Sequence, residues 1–169
     1  NNEHPTFIVE NKIAYTRKIN ESLPTSLKAS ISDEHYPTFR LKFDDEEVSD
    51  CTIVCYGGAL LPVEDAVQKA FFEEEYICEV ICPSLINPIN IIPILESVKK
   101  SKKLILVEEG SSIAGFGSEI ISLLSEKGIR LNNVIRISNN TIIPCSFQAE
   151  NDLLPNEDKI YKKIKEILK

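Results

Sequence analysis

At 169 residues the chain has the length of one domain, enough to bury a core without help from disulfides or metals. Its 19 basic side chains stand against 26 acidic ones, a net charge of −7, which argues against a nucleic-acid partner and toward basic proteins. No run approaches the ~20 apolar residues of a membrane span, and no basic region followed by an apolar stretch opens the chain, so it reads as soluble and intracellular.

Thr6-Phe7-Ile8-Val9-Glu10 predicts a short strand. Lys18 to Tyr36 is polar, with Pro24, several serines and little periodicity, the composition of a surface linker. Phe39-Arg40-Leu41-Lys42-Phe43 alternates apolar and charged residues as an exposed or edge strand does, and the acidic run Asp44 to Glu47 reads as a solvated turn. A boundary is therefore expected near residue 37, dividing the chain into 1–36 and 37–169.

Beyond it, strand and helix patterns alternate four times. Thr52 to Tyr56 is an apolar strand ending in Gly57-Gly58, after which Leu61, Ala66, Val67, Ala70 and Phe71 fall at helical spacing, with Pro62 tolerated in the first turn. Tyr76 to Cys82 predicts the second strand, and Asn90 caps a helix carrying Ile91, Ile94, Leu95 and Val98, with Pro93 in its first turn. Leu104 to Val107, flanked by Lys102-Lys103 and Glu108-Glu109 and closed by Gly110, is the pattern of a strand covered on both faces. Gly115-Phe116-Gly117 opens a third helix that buries Phe116, Ile120, Leu123 and Leu124 and stops near Gly128, ahead of a fourth strand from Val134 to Ile137. A long loop containing Pro144 leads to a last helix from about Pro155. Glu157 and Asp158 lie in its first turn, lysines toward its end, and Ile160, Ile164, Ile167 and Leu168 along its apolar stripe. The alternation predicts an α/β fold with right-handed crossovers: a three-layer α/β/α sandwich on a mostly parallel sheet with an antiparallel edge strand.

Backbone amides at a helix amino end can cradle phosphate, and Gly115 and Gly117 supply two glycines of a dinucleotide fingerprint. Its third place is Ile120, however, the motif follows the third strand of the unit, and Glu108 and Glu109 just before it repel phosphate. Those carboxylates do not form an acid/base pair, because adjacent residues at a strand end point to opposite faces. The loop from Glu108 to Glu119 is read instead as a turn packing against a neighbouring domain or subunit. Tyr56-Gly57-Gly58 lies on the same edge, where a doubly wound sheet has its ligand crevice, and its glycines read first as those of a tight turn. His4 and His35 have no triad or ligand partners in view. Five cysteines, Cys51, Cys55, Cys78, Cys82 and Cys145, lie mostly in apolar runs at spacings unlike a zinc or redox pair, so buried thiols are expected. The lack of methionine, even at position 1, leads us to expect a fragment of a longer polypeptide.

The order Asp50-Cys51-Thr52-Ile53-Val54-Cys55-Tyr56-Gly57, Val80-Ile81 with Ser84-Leu85-Ile86-Asn87-Pro88-Ile89-Asn90, Leu106-Val107-Glu108-Glu109-Gly110 and Gly115-Phe116-Gly117-Ser118-Glu119-Ile120 resembles the carboxyl-terminal domain of the transketolase superfamily. Within it, the sequence is most similar to the beta subunit of thiamine-diphosphate-dependent 2-oxo acid dehydrogenases, those for pyruvate and branched-chain 2-oxo acids among them. The likeness runs from about residue 37 to the end, and Pro5 to Arg17 looks like the exit of a preceding pyrimidine-binding domain.

The resemblance implies a parent enzyme that decarboxylates a 2-oxo acid on thiamine diphosphate and acylates a lipoyl group. Its cofactor-activating acid and acyl-transfer histidine would lie upstream, and diphosphate and magnesium would sit on an alpha subunit or fused alpha domain. For this chain it implies no catalytic, cofactor-binding or metal residue, but an assembly role. Tyr56, Gly57, Gly58, Glu108, Glu109, Gly110, Gly115, Gly117 and Glu119 would lie in interface loops, facing the alpha half and a second beta subunit. Glu157, Asp158 and the terminal carboxylate of Lys169 would receive the small basic binding domain of a dihydrolipoyl acyltransferase. The compartment implied is the cytoplasm, or the mitochondrial matrix in a eukaryote. The chain departs from the family pattern at Ile81-Cys82-Pro83, where Asp-Leu-Arg is usual, at Asn90 in place of Asp, and at Asn139 to Pro144 in place of Asp-x-Pro-x-Pro, changes that bear on acyl substrate and subunit contacts. The alternatives are the same domain of a transketolase, a deoxyxylulose-phosphate synthase or a 2-oxo acid ferredoxin oxidoreductase, and a free-standing doubly wound domain that binds an anion at the strand-end crevice.

Overall fold

Unbroken apolar runs occupy the centre of a six-stranded sheet in the computed structural model, which describes residues 5–12, 15, 27–43 and 48–169. The strands are β1 (Leu27–Ile31), β2 (Thr38–Phe43), β3 (Cys51–Cys55), β4 (Cys78–Pro83), β5 (Lys103–Val107) and β6 (Asn133–Ile137), in spatial order β1-β2-β4-β3-β5-β6. The last four are mutually parallel, while β2 runs antiparallel to both β4 and β1. Five helices follow in chain order: α1 (Leu60–Glu74), α2 (Ile92–Ser101), α3 (Phe116–Glu126), α4 (Phe147–Leu153) and α5 (Glu157–Leu168).

The period of two along a strand explains the runs. Cys51, Ile53 and Cys55 of β3, with Ile105 and Val107 of β5, enter the core beneath α1 and α5. Val54, Leu104 and Leu106, the residues between, enter a second core with Ile94 and Val98 of α2 and Ile120 and Leu124 of α3. Both faces are dry, so neither parity tolerates a solvated side chain, and the three-layer sandwich expected from the alternation is the fold observed.

The sheet differs from expectation at its amino side. The segment read as a linker contains β1, so the sheet begins upstream of the boundary expected near residue 37. β1 pairs Leu27 with Phe43 and Ile31 with Phe39, and Ser32 closes the hairpin by donating its amide to the Thr38 carbonyl at 3.1 Å and accepting the Thr38 amide on Oγ at 2.9 Å. β2 is therefore one place in from the edge expected for it. Its alternation reflects one apolar face, with Phe39, Leu41 and Phe43 buried, and a second face where Arg40 finds acidic partners. Thr6 to Glu10 forms no strand: Phe7, Ile8 and Val9 are 95%, 77% and 96% exposed, and a β pattern without a neighbouring ladder has nothing to pair with. The acidic run Asp44 to Glu47 lies outside the described residues.

α4 was not foreseen, because none of its residues is buried and no apolar period marks it. Phe116 and Leu123 are half-buried, where full burial was expected, and Gly117 is buried in their stead. Asn90 does meet the start of α2, its Oδ1 accepting the Ile92 amide at 3.1 Å, and Asn156 caps α5 by accepting from Lys159 at 3.0 Å.

A buried polar chain ties β2, β4, β3 and α2. Arg40 Nη2 donates to Glu79 Oε1 at 2.5 Å, Ser97 Oγ donates to Glu79 Oε2 at 2.6 Å, and Thr52 Oγ1 lies 2.7 Å from Ser97 Oγ and 2.9 Å from Ser101 Oγ. Thr52→Val keeps the shape and removes the hub of three hydroxyls, so it is expected to cost about 1–2 kcal/mol, read as a shift in the urea midpoint.

Candidate functional site

β4 lies on one side of β3 and β5 on the other, so the connections leaving β3 and β5 diverge, α1 into one helical layer and α3 into the other. The crevice of an open α/β sheet forms at such a divergence. Here it is bordered by Tyr56-Gly57-Gly58 after β3 and by the loop from Glu108 to Gly115 after β5.

Glu108 is the organising group of that loop. It is 2% exposed and accepts Arg136 Nη2 of β6 at 2.9 Å on one oxygen and the Gly117 amide at 3.3 Å on the other. Arg136 Nη2 also donates to the Ser112 carbonyl at 2.7 Å, so one guanidinium joins the end of β5 to the middle of the loop. The glycines are required by this closeness. A Cβ on Gly115 would stand 2.1 Å from the Ser111 carbonyl oxygen and 2.7 Å from Glu108 Oε2, and one on Gly117 would stand 3.0 Å from Glu108 Oε1. The loop after β6 holds the other side: the Asn139 amide donates to the Gly110 carbonyl at 2.9 Å, and Asn140 Oδ1 accepts from the amide of Ser112 at 3.2 Å and from its hydroxyl.

Glu109 turns the other way, as neighbours at a strand end must. Its Oε1 lies 2.7 Å from where a Gly58 Cβ would be, and Asn11 Nδ2 occupies that point at 2.0 Å, so the amino-terminal segment passes against this turn. Burial, and then the carboxylate of Glu150, push the Glu109 carboxyl above its ordinary value. Tyr56 packs its ring edge-on against Phe116 at 5.1 Å, and its hydroxyl titrates above the ordinary 10.0 through burial first and then the charges of Glu108 and Glu109. Gly57 adopts φ +58, a left-handed conformation that favours glycine.

The structure thus brings Tyr56, Gly57, Gly58, Glu108, Glu109, Gly110, Gly115 and Gly117 to one edge, with Glu119 exposed in the first turn of α3. Sequence reasoning missed Arg136, and it met Asn139 and Asn140 only as a departure from the family pattern, not as the groups that hold this loop. The available signal was a lone arginine inside a strand whose neighbours are apolar, since a charge there needs a partner. His4 lies outside the described residues, and His35 sits edge-on to Tyr36 at 4.7 Å in the turn between β1 and β2. Among the described residues no three His, Cys, Asp or Glu side chains stand together as metal ligands.

Glu157 and Asp158 belong to a different place, the seam of α5 on α1. Both pair with Lys69, at 3.1 and 3.0 Å, while Lys165 pairs with Glu74. Lys69, Asp158 and Lys165, with Tyr161, Lys162 and Lys169, line an open groove of about 670 Å³. The hydrogen bond from Lys69 holds the Asp158 carboxyl below its ordinary 3.8, and that from Lys165 holds Glu74 below its ordinary 4.5. A carboxyl depressed in the folded state adds stability that is present above its unfolded value and lost as pH falls through the folded one. The thermal midpoint is therefore expected to drop below about pH 4, and to drop less in Glu74→Gln and Asp158→Asn. Solvent screening keeps the effect small and salt reduces it further.

Residues 42–160 match the family described as transketolase, C-terminal domain. The pyruvate dehydrogenase E1 component subunit beta of Staphylococcus aureus is 34% identical over 126 residues, covering 73% of this chain and 38% of that protein. The same subunit of Rickettsia felis is 29% identical over 168 residues, covering 98% of this chain and 48% of that protein. The chain thus spans about half the length, or less, of these curated relatives. Among solved structures, a split gene transketolase in an inactive beta4 tetramer aligns with a TM-score of 0.64 at 22% identity, covering 72% of this chain and 40% of that one. The 2-oxoglutarate:ferredoxin oxidoreductase from Magnetococcus marinus aligns at 0.54 with 15% identity, covering 77% and 20%. These likenesses concern the fold. Among the described residues no helix is long and apolar enough to cross a membrane.

Proposed function

The chain belongs to the transketolase C-terminal domain family, and from that premise we propose that it is the assembly domain of a thiamine-diphosphate-dependent 2-oxo acid dehydrogenase, on the beta half of the enzyme. The observation that carries the reading is the closed crevice: Glu108, paired with Arg136, takes the Gly117 amide that a phosphate would need, and Gly115 and Gly117 are packed against it. The residues present do not fit thiamine diphosphate. The Glu108 carboxylate already takes the α3 amide that a phosphate would need and would repel it. The cofactor would be held by the alpha half and the upstream pyrimidine-binding domain, and the reacting groups with it.

Exposed apolar residues beside the crevice support an assembly role. Ile113 and Ile142, on loops joined through Ser112 and Asn140, are 82% and 93% exposed, a cost to a lone domain and an asset to an interface. Titration calorimetry of the chain with thiamine diphosphate and magnesium tests the reading: no binding heat is expected, and micromolar binding would overturn it. Ile142→Lys is expected to leave the unfolding free energy within about 0.5 kcal/mol of the parent and to weaken pairing with a co-expressed alpha half, read by size-exclusion chromatography.

The α1–α5 seam is the proposed dock for the basic domain of a dihydrolipoyl acyltransferase. A basic partner would compete with Lys69 for Glu157 and Asp158. Retention of that domain on the immobilised chain is expected to fall steeply as salt rises, and salt-insensitive retention would argue against the dock.

A further inference from the structure

Four of the five cysteines stand on adjacent strands and on the same face of the sheet, Cys51 and Cys55 on β3, Cys78 and Cys82 on β4. The parallel register pairs Cys51 with Cys78 and Val54 with Ile81, which sets Cys55 beside Cys82 one residue further on. The two pairs differ in access. Cys51 and Cys78 have sulfurs 3.4 Å apart and are both fully buried under α1. Cys55 is fully buried too, but Cys82 is only half-buried, at the carboxyl edge of the sheet with Phe39 of β2 as its other neighbour.

Two hydrogen-bond donors face the Cys82 sulfur. The Cys55 thiol donates to it, and the amide of Gly57, which opens the turn after β3, adds a second donor; together they hold Cys82 below the ordinary 9.0. The same bond, with burial, pushes Cys55 well above 9.0 and keeps it protonated. Glu64 of α1 is the charged group facing both, and it opposes ionisation of each. A partly open thiol one register step from a fully buried thiol on the adjacent strand is the arrangement of an oxidisable cysteine with its resolving partner. Neighbouring strands lie ~4.8 Å apart, inside the ~4.4–6.8 Å Cα range that a disulfide spans.

We propose that Cys82 and Cys55 form an oxidisable dithiol that a hydroperoxide converts to a cross-strand disulfide at the carboxyl edge of the sheet. In the first step the Cys82 thiolate attacks the terminal peroxide oxygen, the O–O bond breaks, and the sulfur loses two electrons to become sulfenic acid as the alkoxide or hydroxide leaves and takes up a proton. In the second the Cys55 sulfur attacks Cys82, the S–S bond forms, the S–O bond breaks, and hydroxide departs with the Cys55 proton as water. The bond removes the thiolate that accepts the Gly57 amide, so its first structural effect falls on Tyr56-Gly57-Gly58, the wall of the crevice.

The test treats the reduced full chain with hydrogen peroxide, removes the peroxide, unfolds the protein at acid pH and alkylates the remaining thiols in denaturant, then digests it and maps the peptides by mass spectrometry. The Cys55 and Cys82 peptides are expected to appear linked and lighter by two hydrogens, while Cys51 and Cys78 are recovered as alkylated thiols. Cys55→Ala is expected to stop at sulfenic acid on Cys82, captured by dimedone, and Cys82→Ser to abolish the linked species. The proposal is overturned if Cys82 stays a free thiol at peroxide levels that oxidise the exposed Cys145, or if Cys82 is oxidised in the parent chain without linking to Cys55. Both readouts come from the parent chain and hold whether or not either variant folds.

Discussion

Arg136→Met is expected to lower the unfolding free energy by about 3 kcal/mol, measured by urea denaturation followed by circular dichroism. The variant keeps the apolar stem of the side chain and removes the guanidinium that, among the described residues, reaches Glu108, a carboxylate 2% exposed whose bond to the Gly117 amide is long at 3.3 Å. Breaking a buried pair costs ~3–5 kcal/mol because the surviving charge is left without compensation, and the lower end applies because the Arg136 side chain is 24% exposed and water can follow. Glu108→Gln in the same background is expected to recover part of the loss, since an amide tolerates burial better than an orphaned carboxylate. If Arg136→Met falls within about 0.5 kcal/mol of the parent chain, the clamp is not what holds the loop.

Gly115→Ala is expected to cost about 2 kcal/mol and to do so through sterics alone. The residue sits at φ −77 and ψ 167, extended backbone open to any side chain, so no conformational strain contributes. What the methyl group meets is the Ser111 carbonyl oxygen at 2.1 Å and Glu108 Oε2 at 2.7 Å, one of them backbone that moves only if the loop moves. Gly110→Ala is the control: its Cβ would find only the Tyr56 hydroxyl at 3.7 Å, ordinary contact, and is expected to be near neutral. Gly58→Ala falls between them, because the obstacles are the ends of the Asn11 and Glu109 side chains, which can swing aside. Equal losses at Gly115 and Gly110 would mean that chain flexibility, and not packing against Glu108, explains the glycines.

Much of the crevice was legible before any coordinates. The carboxylates after Val107 argue against a phosphate cradle, and the opposite orientation of adjacent residues argues against a paired acid and base; Glu108 turns to Arg136 and Glu109 toward Gly58. Illegible was the reason Glu108 can be buried at all, because its partner lies 28 residues on, in another strand. Nor does the spacing of Glu157 and Asp158, two of the carboxylates expected to receive a basic partner, reveal that Lys69, 89 residues before Asp158, pairs with both. β1 escaped notice because only Leu27 of its five residues is buried, too little apolar pattern to stand out from a linker.

By itself the sequence determined the alternation of strands and helices, the apolar central runs and the glycine-rich loop after β5. These are local consequences of chemistry, since a strand roofed on both faces must be apolar at consecutive positions and a helix against it must be apolar every three or four. Only the tertiary structure decided which groups meet: Arg136 with Glu108, Lys69 with Asp158, Cys51 with Cys78 and, one step along the same register, Cys55 with Cys82. Such pairings depend on strand order and register, which are set by the packing of the whole sheet and leave no trace in the spacing of residues along the chain.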